Sequence, residues 1–114
     1  MGFGLQAPAA VPVELRGTRR RVFRLSRAIG EEGIHLERPA PFEPGEPVEL
    51  RLGVPVQGEP EPVPVTLRAT VEVVDGEDAE QAGGARGLVF IEPPQEARRT
   101  LARYVANRLG LPLR

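Results

Sequence analysis

A strict alternation of apolar and polar residues, which later gives way to a helical repeat, constrains the fold more than any other feature. Along residues 63–73 every second residue is Val, Leu or Ala, and residues 47–54 alternate in the same way. Successive side chains of a strand point to opposite faces, so both segments are predicted to be strands with one buried and one solvated face. After Pro93-Pro94, apolar residues recur at helical spacing from Gln95 to Leu109, which predicts an amphipathic helix that ends at Gly110.

Four further segments have the character of short strands, and Gly- or Pro-containing turns separate them. They cover residues 11–15, 20–28, 34–37 and 86–91, and Phe23 and Phe90 are expected in the core. Six short strands with hairpin connections favour a small antiparallel barrel, because closure removes exposed edges. The predicted class is therefore all-β, a six-stranded antiparallel barrel over about 11–92 with one C-terminal helix over about 94–109. An acidic, Gly-rich loop is predicted at 75–84, and 114 residues suit a single domain, 1–114.

The residue inventory argues against an enzyme. The chain has no cysteine, one histidine (His35) and one serine (Ser26), so a Ser-His-acid triad would need both. Ser26 lies within a predicted strand, and the alternation around His35 predicts that its ring faces solvent or a partner. We therefore expect no catalytic residue, no metal site and no cofactor. No apolar run is long enough to span a bilayer. The first ten residues do not resemble a signal peptide, and the cytoplasm is the expected compartment.

An arginine cluster is the one unusual feature of the sequence. It holds six arginines and no acidic residue: Arg16, Arg19, Arg20, Arg21, Arg24 and Arg27. Arginine forms bidentate bonds to phosphate and to carboxylates, so the cluster suits a nucleotide or an acidic partner surface. Strand alternation divides its members between two faces, which weakens the prediction of one ligand pocket. With a net charge of −1 and 4% aromatic residues, binding to nucleic acid is not expected.

The order of these elements resembles a PilZ domain. The likeness centres on residues 24–36, which read RLSRAIGEEGIHL, followed by the Pro44-Gly45 turn and the strand around residues 48–52. The long strand up to Val74, the strand at 87–90 and the helix through Val105 complete it. The resemblance implies a six-stranded barrel of a family that commonly binds cyclic di-GMP, a bacterial second messenger.

The family's two ligand motifs are degenerate in this sequence. The D/NxSxxG loop falls on residues 28–33, where Ala28 replaces the acid or amide, Gly30 replaces the serine, and Gly33 alone matches. The RxxxR motif should precede the first barrel strand, yet residues 1–12 contain no arginine. Two textual RxxxR matches, at 16–20 and 20–24, follow the first predicted strand instead. The resemblance therefore implies a PilZ-like domain that lacks the standard ligand site.

Two functions remain as hypotheses from the sequence. The first is a regulatory adaptor that binds a protein partner in motility, pilus or polarity control, with Arg19, Arg20, Arg21 and Arg24 as its contact residues and self-association as a further possibility. The second is a cyclic di-GMP receptor that uses arginines in a non-standard register together with Gly33. Its candidate ligand residues are Arg16, Arg19, Arg20, Arg21, Arg24 and Gly33.

Overall fold

Antiparallel pairing closes six strands into a barrel, and a seventh short strand and a helix lie outside it. The structure is a computed structural model that describes residues 4–71 and 85–112. The elements are β1 (Gln6–Pro8), β2 (Pro12–Arg16), β3 (Arg21–Gly30), β4 (Gly33–Ala40), β5 (Pro47–Val54), β6 (Val63–Val71), β7 (Ala85–Phe90) and α1 (Gln95–Leu109). The barrel order is β3-β2-β5-β6-β7-β4, and the β3–β4 pairing closes the ring. The predicted six-stranded antiparallel barrel with one C-terminal helix is confirmed.

The alternating segments form the most regular part of the barrel. β5 and β6 pair without interruption from Pro47↔Thr70 to Val54↔Val63. The apolar positions of both strands point inward, and Leu50, Leu67 and their neighbours are almost completely buried. Because each strand alternates with a period of two, one register buries all of these side chains at once.

The inward-facing phase of β3 differs from the prediction. Phe23, expected in the core, is 61% exposed, and Leu25 is 45% exposed. The even-numbered residues face inward in this half of the strand, and Ser26 is buried. A β-bulge between Ser26 and Ala28 then reverses the phase, so that Ile29 is buried. A bulge adds one unpaired residue and exchanges the two faces of a strand, which is why an alternation reading placed Phe23 on the wrong side.

Helix α1 lies on β1, β3, β5 and β6. Its buried stripe consists of Ala97, Leu101, Tyr104, Val105 and Ala106, whereas Leu109, the last apolar residue of the predicted helical repeat, is 38% exposed. Gly110 ends the helix in the left-handed conformation, with φ 69°, and its N–H donates to the carbonyl of Ala106. A glycine at this position terminates a helix without the steric cost of a side chain.

Strand β1 is absent from the sequence prediction. Gln6, Ala7 and Pro8 pair with Gly30, Ile29 and Ala28 of β3, and Ala7 is completely buried. Three residues are too few to show an alternating pattern, so only the pairing identifies this strand. The other boundaries differ from prediction by a few residues: β3 and β4 extend to Gly30 and from Gly33, which leaves a turn of two residues. The predicted strand end at 72–73 and the acidic loop at 75–84 lie outside the described residues.

Candidate functional site

The loop between β3 and β4, where the sequence locates the degenerate ligand motif, is covered by the chain's own N-terminal strand. Gln6 pairs with Gly30. A Cβ atom added to Gly30 would lie 2.3 Å from the backbone oxygen of Leu5. A contact that short with a backbone atom requires β1 to move. Gly30 therefore allows β1 to approach this closely, and a serine at this position would not fit.

The side chain of Gln6 fills part of the same loop. Its amide nitrogen donates to the carbonyl of Gly33 at 3.0 Å, and its oxygen lies 2.7 Å from Nδ1 of His35. Burial, and to a smaller extent the charge of Arg27, lower the pKa of His35. The ring that was expected to face solvent or a partner is thus half-buried beside β1. It favours the neutral form and is oriented by a neutral amide.

The side chain of Ser26 is hydrogen-bonded to backbone groups, as that of Gln6 is to Gly33. Its hydroxyl accepts a hydrogen bond from the N–H of Val11 at 3.0 Å and donates to the carbonyl of Ala9. These bonds join the chain after β1 to the middle of β3. The only serine is therefore used to satisfy buried backbone groups.

The turn between β2 and β3 and the strand ends beside it carry four arginines, which we name the basic hairpin: Arg16, Arg19, Arg20 and Arg21. The N–H of Gly17 donates to the carbonyl of Arg20 at 2.8 Å and closes the turn. All four arginines are exposed. Arg21 lies 3.7 Å from the carboxylate of Glu14. Within the described residues, the other three contact no carboxylate, so most of their positive charge faces solvent.

An apolar pair lies beside the basic hairpin on the outer face of β3. Phe23 and Leu25 point outward, and the guanidinium of Arg21 lies 5.9 Å from the centroid of the Phe23 ring. Arg24 points away from this face: Nε donates to the carbonyl of Pro39 at 3.0 Å, and Nη1 donates to the carbonyl of Phe23 at 2.9 Å. The predicted division of the arginines between two faces is therefore observed.

The structure does not bring the basic hairpin and Gly33 together. Arg21 and Gly30 stand at opposite ends of the ten residues of β3, roughly 30 Å apart at the rise of an extended strand. Gly33 lies beyond Gly30, next to Gln6. The two groups of candidate ligand residues therefore belong to different ends of the barrel, and a single pocket does not contain both.

A cleft of about 810 Å³ opens where the end of α1 faces β3 and the chain after β1. Apolar atoms dominate its walls, and two arginines are among the residues that line it. Its lining residues are Pro8, Ala9, Ala10, Val11, Ser26, Arg27, Glu37, Pro55, Gln57, Tyr104, Asn107 and Arg108. Tyr104 donates its hydroxyl to the carbonyl of Pro8 and fixes the helix to β1. No pattern in the sequence predicts this cleft, because its lining residues come from five distant segments.

Other classes of site are not found in the described part of the chain. Across residues 4–71 and 85–112, no three His, Asp or Glu side chains are grouped so as to hold a metal ion. The helix found in these ranges is too short and too polar to cross a membrane. The candidate surfaces are therefore the loop under β1, the basic hairpin with its apolar pair, and the cleft.

Comparison with known proteins agrees with this architecture. A family model described as PilZ domain matches residues 7–107. The structure of the Bacillus subtilis inhibitor of motility (MotI/DgrA) is similar at a TM-score of 0.74 and 20% identity, over 92% of this chain and 49% of that chain. The PilZ domain of CeSA from a cellulose-synthesising bacterium is similar at a TM-score of 0.58 and 16% identity, over 92% and 95%. This chain thus spans about half the length of MotI/DgrA. No curated protein sequence matches it.

Proposed function

The chain belongs to the PilZ family, and from that premise we propose that it is a non-catalytic adaptor that acts by binding a protein partner, with little or no affinity for cyclic di-GMP. A PilZ domain is a regulatory module, so its role is of the regulatory type. Its similarity to an inhibitor of motility makes motility, pilus or polarity control the proposed process. The absence of cysteine is compatible with the reducing cytoplasm as its compartment.

The observation that carries this proposal is the position of β1 on the motif loop. Gly30 stands where the family has a serine, and the backbone of Leu5 lies against it, with no room for a side chain. The side-chain amide of Gln6 donates a hydrogen bond to the carbonyl of Gly33. A ligand that bound here as in other PilZ domains would have to displace β1. The loop also lacks the acid or amide of the family motif at residue 28 and its serine at residue 30, since Ala28 and Gly30 stand there.

The two residues that a Ser-His-acid triad would require support a role without catalysis. Ser26 is buried, and its hydroxyl already bonds Val11 and Ala9. His35 contacts the amide oxygen of Gln6. A catalytic hydroxyl requires a base within hydrogen-bonding distance, and each of these groups is instead bound to the segment around β1.

Calorimetric titration of cyclic di-GMP into the purified protein tests the ligand half of the proposal. We expect no saturable heat up to about 1 mM ligand, the concentration that corresponds to a binding free energy of about −4 kcal/mol. Saturable binding at micromolar ligand would overturn it.

Two variants identify the site if binding occurs. Arg20→Ala removes a cation from the basic hairpin, and Arg99→Ala removes an equally exposed cation from α1. Binding that Arg20→Ala abolishes and Arg99→Ala preserves would establish the receptor function with arginines in a non-standard register. Equal weakening by both would indicate only screening of general charge.

A further inference from the structure

The outer face of β3 carries an ordered sequence of side chains that nothing in residues 4–71 and 85–112 covers. Arg21, Phe23, Leu25 and Arg27 alternate with the inward-facing residues, and all four are exposed. They stand about 7 Å apart, because alternate residues of a strand are separated by two rises of about 3.3 Å. The result is a row of cation, aromatic ring, aliphatic side chain and cation, which we name the β3 row.

The row stays uncovered because this half of β3 has a regular neighbour on one side only. Pairing with β2 runs from Pro12↔Leu25 to Arg16↔Arg21. On the other side, the described pairing with β4 begins only at Ser26↔Leu36. Between β3 and β4, the guanidinium of Arg24 donates to the carbonyls of Phe23 and Pro39. A side chain rather than a backbone ladder therefore closes this part of the barrel.

The β3 row leads into the cleft. Arg27 belongs to both, since it is the last member of the row and lines the cleft. The other lining residues include Pro8, Ala10 and Tyr104, and Arg108 contributes a second cation. Row and cleft together form one continuous track from the basic hairpin to the end of α1.

We propose that this track binds an extended, acidic segment of the partner protein, with Phe23 and Leu25 as apolar anchors and Arg21 and Arg27 as carboxylate ligands. The proposal rests on the adaptor function above and names the partner's chemistry. An extended segment with the pattern acid-x-apolar-x-apolar-x-acid has the same two-residue period as the row, so each of its side chains faces one member. A helix would present its side chains at a different spacing.

Charge selects an acidic occupant over a second copy of this chain. Two copies meeting through the β3 row in antiparallel fashion would place Arg21 of one against Arg27 of the other, and like charges directly opposite each other are destabilising. The basic hairpin adds three cations that contact no carboxylate in the described residues. Arginine and aromatic side chains are also those that contribute most to protein interfaces. An anionic segment would meet two acids along the track: Glu14, whose carboxylate lies 3.7 Å from Arg21, and Glu37, which lines the cleft.

Synthetic peptides test the pattern directly. The probe is a fluorescent peptide with the central sequence Glu-Thr-Val-Thr-Val-Thr-Glu, and its controls are the same peptide with Lys in place of Glu and a scrambled version of the same composition. Anisotropy gives the affinity, and amide chemical shifts of the full chain give the location. We expect the probe to bind more tightly than either control, with shifts confined to β3 and the cleft. Equal binding of all three peptides, or no binding at all, would overturn the inference.

Matched variants separate the anchors from general effects. Phe23→Ser with Leu25→Ser is expected to weaken the probe by about tenfold or more, as truncation of apolar interface anchors does. Leu111→Ser changes a side chain of similar exposure, 44% against 45% for Leu25, and should leave the affinity unchanged. Circular dichroism checks that the fold survives, and since the anchors are exposed it should. Equal effects of the two changes would remove Phe23 and Leu25 from the interface.

A second pair of variants tests the charges. Arg21→Glu is expected to weaken the Glu probe and strengthen the Lys control, whereas Arg99→Glu on α1 should do neither. A single-stranded oligonucleotide that binds the row more tightly than the Glu probe would assign it to nucleic acid and overturn the inference. Sedimentation showing a dimer that Phe23→Ser abolishes would assign it to self-association. If none of the peptides binds and cyclic di-GMP does not bind either, the adaptor function stands and its interface lies elsewhere on the protein. If cyclic di-GMP binds at micromolar concentration, the proposed function itself is overturned.

Discussion

Replacing Gly30 with alanine tests the close approach on which the absence of the standard ligand site depends. The added Cβ would lie 2.3 Å from the carbonyl oxygen of Leu5, whereas ordinary contact begins at 3.4 Å. β1 or the end of β3 must therefore shift by about 1 Å, and overpacking of this kind costs about 1–3 kcal/mol. A movement of β1 also disturbs Ala7, which is completely buried.

The size of the effect is measurable by thermal unfolding. A domain of 114 residues loses about 4 °C of melting temperature per kcal/mol, given an unfolding entropy of about 2 cal/mol/K per residue. Gly30→Ala should accordingly lower the melting temperature by about 4–12 °C. Circular dichroism follows the unfolding. The side-chain amide resonances of Gln6, which donates to Gly33 at 3.0 Å, report whether β1 has moved.

A shortened chain provides the control. When Gln6 is the first residue, released from a cleavable fusion, the clash with the backbone of Leu5 is gone. The close contact that remains for the added Cβ is Cγ of Gln6 at 3.0 Å, a side-chain atom that can shift by a few tenths of an ångström. Leu5 is 61% exposed, so its removal should cost little. In that background Gly30→Ala should be neutral or stabilising by about 0.5–1 kcal/mol, because alanine loses less conformational entropy than glycine in a strand. An equal loss in both backgrounds, or none in the full chain, would refute the steric argument.

Three further predictions concern the groups that join the N-terminal segment to the barrel. Ser26→Ala leaves the buried N–H of Val11 without its acceptor and should lower the free energy of unfolding by about 1–3 kcal/mol; a loss under half of that in urea titrations would indicate that water replaces the hydroxyl. Tyr104→Phe removes the helix-to-β1 hydrogen bond and should cost about 1 kcal/mol, with an unchanged value refuting that role. Because burial and then Arg27 lower the pKa of His35 from 6.5, the folded state disfavours the protonated ring. The contribution of the neutral His35 ring to the free energy of unfolding is complete above pH 6.5, and it is lost as the pH falls toward the lower pKa of the folded state. Unfolding free energies between pH 7.5 and 5.5 should therefore decline in the native chain and less in His35→Gln; parallel curves would contradict this.

The sequence by itself determined the barrel and the helix. The two-residue period around Leu50 and Leu67 and the change of period after Pro94 are local properties of the chain, and one register satisfies them. The inventory also made catalysis unexpected, since a Ser-His-acid triad would have to use both the single serine, Ser26, and the single histidine, His35. The loss of the motif side chains at Ala28 and Gly30 could likewise be read directly.

Tertiary structure alone decided where those residues lie and what covers them. The bulge after Ser26 turns Phe23 outward, because a strand's phase depends on its pairing partner as well as on its own pattern. β1 is too short to have a period, and it exists because Gly30 leaves room for its backbone. The close packing of β1 also explains why residue 30 is a glycine, because the backbone of Leu5 occupies the space that a side chain would need. Strand pairing likewise decides where the arginines lie. It separates the basic hairpin from Gly33 and places the hairpin next to the exposed side chains of Phe23 and Leu25.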